Sequence, residues 1–150
     1  MPIRFKFFFL SILSFSILIS CGDNTERTEP IVSTAEEVHP DMIQPSEVDI
    51  TTPLNATWVD AGKQTYELKC QSCHKLTDER VVGPGWAGIT NNREPAWIMN
   101  MILNVDMMLE KDPEAQKLLE QCLVRMPNQN LTKEEGRQVL EFMRHNDGVN

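Results

Sequence analysis

Cys70-Gln71-Ser72-Cys73-His74 is the part of the chain whose residue types and spacing can do chemistry. Two thiols three positions apart, followed at once by an imidazole, fit covalent haem attachment. The thiols can reach the two vinyl groups of one haem, and the adjacent His74 is then carried under the iron. Two other chemistries use similar residues. A redox dithiol wants a βαβ context, and no alternation typical of strands surrounds the motif. A structural zinc site wants a second pair of ligands at close spacing. Cys122 and His145 stand alone and do not supply one.

The iron needs a sixth ligand. Met99, Met101, Met107, Met108, Met126 and Met143 offer sulfur, and His39 and His145 offer nitrogen. Met101 and Met143 lie on apolar helical stripes and read as core. Met126 stands in Arg125-Met126-Pro127, in a loop before the last helix. The proline removes a backbone donor there and stiffens the chain beside the sulfur. Arg93, Trp97 and Asn104 are candidates for holding haem propionates. Trp97 also shares a stripe with Ile98 and Met101, and so reads equally as packing. Cys122 reads as a small buried hydrophobe.

Helices must position these groups. Asn55 or Thr57 can cap a first helix running through Gly62 and Tyr66 towards Cys70. The Gly- and Pro-rich stretch Val82-Gly83-Pro84-Gly85-Trp86-Ala87-Gly88 reads as a loop. Pro95 opens a second helix and Asp112-Pro113 a third. Thr132-Lys133-Glu134-Glu135 is a capping box for the last, whose apolar face is Val139, Leu140, Phe142 and Met143. The expected fold class is all-α, with about four to five helices wrapped around one cofactor.

The remaining chain divides by composition. Arg4 and Lys6 precede an apolar run over 7–19, too short to span a bilayer comfortably and suited to an export signal over 1–20. Residues 22–57 hold Pro30, Pro40, Pro45 and Pro53 and no apolar periodicity. Eight acids against one base give this 36-residue stretch a charge of −7. Such a stretch is expected to be a flexible tether, because it has too little apolar surface to offset its ordering entropy. The domain over 58–150 has fourteen acids and eleven bases, hence −3 of the total −8. That balance argues against nucleic-acid binding, which needs clustered Lys and Arg.

Three resemblances complete the reading. Leu18-Ile19-Ser20-Cys21 resembles the lipobox of bacterial lipoproteins, which implies cleavage before Cys21 and its lipidation. It also implies a membrane anchor, with the domain in the periplasm or at the cell surface. Residues 58–150 resemble small monohaem class I cytochromes c of the mitochondrial-like type. Gly62 and Tyr66 match the glycine and aromatic of that family's first helix, which crosses the last helix closely. Gly83-Pro84-Gly85-Trp86-Ala87-Gly88 is similar to its Gly-Pro-x-Leu-x-Gly segment, with Trp86 in place of leucine. The resemblance implies haem c on Cys70 and Cys73, axial His74 and Met126, and a Pro84 carbonyl that orients His74. It implies one-electron transfer with redox partner proteins rather than enzymatic catalysis. The alternatives are a haem enzyme or gas sensor with an exchangeable sixth ligand, or a fixed subunit of a larger oxidoreductase. From Pro95 onward the chain is also similar to small bacterial cytochromes that accompany nitrous oxide reductase, which implies that enzyme as a partner.

Overall fold

A computed structural model describes residues 41–150. The expected export signal and Cys21 lie outside the described residues. Six helices and no strands form the described part: α1 (Ala56–Thr65), α2 (Ile89–Asn92), α3 (Pro95–Leu103), α4 (Val105–Lys111), α5 (Pro113–Cys122) and α6 (Lys133–Asn146). None of these helices is long and apolar enough to cross a membrane.

Local chemistry explains where they start. The Asn55 side chain accepts from the Trp58 amide, which caps α1. Pro95 and Pro113 occupy the first turns of α3 and α5, where a missing N–H costs nothing. Asp112 caps α5 through the Ala115 amide, and Thr132 and Glu135 form a reciprocal capping box on α6. Two elements were not foreseen. The one-turn α2 is organised by Asp147, whose carboxylate accepts from the Gly88 and Thr90 amides and the Thr90 hydroxyl. Helix α4 is buried through Val105 and Met108, too few apolar positions for a clear period in the sequence.

The core is the crossing of α1 and α6, closed on one side by α3. Gly62 lies where a Cβ would sit 2.0 Å from the Gln138 carbonyl oxygen, so only a residue without a side chain allows this approach. Tyr66 packs against Phe142 and Trp86, with ring centroids 5.5 and 5.0 Å away. Leu140 and Val139 are fully buried beneath them.

The flexible span expected to reach residue 57 differs from residue 41 onward. Ile43 and Val48 pack on the core. The Ile43 backbone exchanges two hydrogen bonds with the Asn100 side chain, both 2.9 Å. Arg137 donates to the Asp49 carbonyl, and Arg144 to the Thr51 carbonyl. Composition misleads here because side chains of distant helices hold the segment's backbone and add to the two apolar anchors, Ile43 and Val48.

Candidate functional site

The motif cysteines sit where α1 ends. A π-helical turn, Tyr66–Cys70, continues from it, with the Gln71 amide bonded to the Tyr66 carbonyl at 3.0 Å. Single π turns are frequent at functional sites. The chain then tightens: the Cys73 and His74 amides both reach the Cys70 carbonyl, at 3.1 and 3.0 Å. Cys70 is buried and Cys73 half-buried. Burial pushes the Cys70 thiol up to about 11 despite nearby Lys69, the reverse of what a reactive redox dithiol needs.

His74 is held from three directions. The Tyr66 hydroxyl donates to its carbonyl at 2.8 Å. Its ring packs 5.3 Å from Trp86. Its Nδ1 donates to the Pro84 carbonyl at 2.8 Å. A carbonyl only accepts, so Nδ1 carries the proton and Nε2 keeps its lone pair. Burial favours the neutral ring and outweighs the Pro84 bond, so His74 titrates below the usual histidine range. A neutral imidazole with a free Nε2 is the form that binds a metal. Gly83 permits the arrangement: a Cβ there would lie 2.3 Å from His74 Cε1. The Gly83 amide is bonded to the Cys73 carbonyl at 2.9 Å, which pins the loop across the ring.

These groups border a partly open, apolar cavity. Cys73, His74, Val82 and Pro84 form one part of its wall; Trp97, Ile98, Met101 and Ile102 of α3 form another. Leu118, Leu119 and Cys122 of α5, with Met126 and Pro127 beyond it, contribute further wall, and Met143 of α6 completes it. The fold thus brings Cys73, His74, Pro84 and Met126 to one apolar space, whereas Cys70 is buried in the core and is not among the residues that line it. Of the other sulfurs, Met99 and Met108 are packed in the protein interior. Met101 and Met143 line the cavity from helices, and Met126 alone of the three comes from a loop. His145 is exposed on α6, and His39 lies outside the described residues.

Two expectations change. Cys122 is half-exposed on the cavity wall rather than buried in packing, because α5 ends there and Leu123 turns into the left-handed region. Asn104 does not line the cavity. Its amide donates to the Asp41 carbonyl and to Asn100, because α3 ends beside the N-terminal segment. Trp97 does line it, and its Nε1 is the one buried side-chain polar atom among the described residues that lacks a partner. The Arg93 guanidinium lies 4.6 Å over the Trp97 ring and pairs with Glu114. The Trp97 donor therefore requires an acceptor that the protein itself does not provide.

Comparisons with known proteins bear on the family and the fold. The family model described as cytochrome c matches residues 59–147. A cytochrome c from Rhodothermus marinus is 31% identical, with a TM-score of 0.65, covering 67% of this chain and 85% of that one. The cytochrome c domain of a Pseudomonas putida protein is 30% identical, with a TM-score of 0.50, covering 56% of this chain and 85% of that one. No curated protein matches the chain.

Proposed function

The chain belongs to the cytochrome c family, with its covalently bound haem c, and from that premise we propose that it is a membrane-tethered one-electron carrier whose haem occupies the cavity beside His74. The residues present fit that group. The cavity is apolar, His74 offers Nε2, and Met126 offers a sulfur. The unpartnered Trp97 Nε1, with Arg93 over its ring, suits a propionate. Cys70 and Cys73 would hold the haem as thioethers, and His74 and Met126 would be its axial ligands. When bound, the haem supplies reversible one-electron exchange at iron, and a His/Met pair raises its potential and leaves no open coordination position. The Pro84 carbonyl fixes the His74 ring and increases its basicity. No proton transfer to a substrate is needed, so the function is electron transfer rather than catalysis.

The observation that carries this reading is that His74, anchored through Nδ1, and Met126 border the same cavity. Met126→Ala tests it. The far-red sulfur-to-iron band of the oxidised protein should vanish, the potential should fall, and the reduced protein should bind carbon monoxide. Retention of the band would assign the sixth position to another residue.

Export and lipidation at Cys21 rest on the sequence. A lipid anchor at Cys21 would keep the haem at high effective concentration near membrane-bound or periplasmic redox partners. Nitrous oxide reductase is the partner that the resemblance of the chain from Pro95 onward implies. Cys21→Ser should release the haem protein from the membrane fraction; retention there would place the anchor elsewhere.

A further inference from the structure

Four polar or charged side chains are buried among the described residues: Asn100, Arg137, Glu141 and Arg144. All four serve the segment that leads into α1. Asn100, 3% exposed, pairs with both backbone groups of Ile43, as a neighbouring peptide would in a sheet. Arg137 and Arg144 hold the Asp49 and Thr51 carbonyls. Glu141, fully buried, accepts from both arginines and from the Asn55 amide. Lys133 adds an ion pair to Glu47 at 2.8 Å. Yet the family match begins only at residue 59. Helices α3 and α6 thus carry buried polar partners for a segment that the family match does not include.

The two helices so joined are both walls of the cavity. Trp97, Ile98, Met101 and Ile102 of α3 line it, as does Met143 of α6. Asn100 is flanked by Met99, packed in the core, and Met101, on the cavity. Helix α3 has nine residues, so a bond at Asn100 constrains the turn that carries Met101 and the Trp97 donor. We propose that residues 42–52 act as a strap that positions α3 against the haem pocket, with Asn100 as the positioning residue that receives it. This rests on the cavity being the haem site, which Met126→Ala tests separately. Freed from the strap, Asn100 would keep the Asn104 amide but lose both Ile43 bonds, leaving its buried NH2 unpaired, and α3 would shift or admit water to relieve it. Water at the haem favours the charged oxidised iron, so the potential falls.

The test is a cycle on the full-length holoprotein. One variant is Asn100→Leu, which removes the receptor and keeps the volume. Another replaces 42–52 by glycine and serine at equal length, which removes the Ile43 and Val48 anchors. The third combines them. Each single variant should lower the midpoint potential and weaken the far-red sulfur-to-iron band at temperatures well below unfolding. The combined variant should shift no further than the larger single one, because both remove the same contact. Should a variant not yield holoprotein, a protease site in the exposed turn Pro45–Glu47 lets the protein fold first and be cut afterwards. Removal of the freed piece in mild urea should then lower the potential, with uncut protein in the same urea as reference. A wild-type potential and band after any of these changes, with only thermal stability reduced, would make the strap a cover and overturn the proposal. Additive shifts would separate Asn100 from the strap and overturn it equally.

Discussion

Gly83→Ala should damage the His74 site more than its one added methyl implies. The new Cβ would lie 2.3 Å from His74 Cε1 and 2.8 Å from each ring nitrogen. Restoring an ordinary contact of 3.4 Å requires the loop or the ring to move by about 1.1 Å. The loop resists, because the Gly83 amide is bonded to the Cys73 carbonyl at 2.9 Å. If the ring moves instead, the 2.8 Å bond from Nδ1 to Pro84 stretches to about 3.9 Å, beyond hydrogen-bond reach. Overpacking costs about 1–3 kcal/mol and the lost bond about 1 kcal/mol. A total of about 2–4 kcal/mol lowers Tm by at least roughly 8 °C in a domain of this size. A less basic imidazole also stabilises oxidised iron less, so the potential should rise. Thermal melts and redox titration of the holoprotein measure both. A Tm within about 2 °C of wild type, with an unchanged potential, would refute the claim that this glycine shapes the ligand.

Gly62→Ala should act on the fold rather than the iron. Its Cβ would meet backbone at 2.0 Å, so α1 and α6 must separate, at a cost of about 3 kcal/mol or more, read as a fall in Tm with normal haem content. Glu141 gives a pH-dependent signature. Burial pushes its carboxyl up, but the Asn55 amide and the two arginines outweigh this and hold it below its ordinary value of 4.5. The folded state then binds fewer protons than the unfolded state, so the contribution is complete above about pH 4.5 and is lost as pH falls below it. Glu141→Gln should lower stability at neutral pH and flatten the acid slope of a urea-unfolding series; an unchanged slope would remove Glu141 from the acid response.

The site was legible because its chemistry is local. Two cysteines and a histidine at fixed spacing, a Gly-Pro loop and a Met-Pro loop each carry their meaning in a few adjacent residues. Asn55, Pro95, Asp112 and Thr132 likewise mark helix starts through bonds that span one turn. The strap was not legible, since its bonds join residues 57 to 93 positions apart and run from side chains to backbone. Such bonds leave no periodicity, and proline and acidic residues gave the segment the composition of a tether. The one hint was in α6, where Arg137, Glu141 and Arg144 share its buried side with Leu140. Helix α4 was missed for another reason: Val105 and Met108 are too few to set a period. Asn104 was only one of three propionate candidates, and its amide donates to Asp41 and Asn100 instead.

The central claim is a haem held by Cys70 and Cys73, and its most direct measurement is the fate of haem when the mature protein is denatured in acidified organic solvent. The account predicts that haem stays with the polypeptide, with the intact mass raised by one haem, and that Cys70→Ala combined with Cys73→Ala abolishes this. Haem extracted freely from the mature wild-type chain would contradict it.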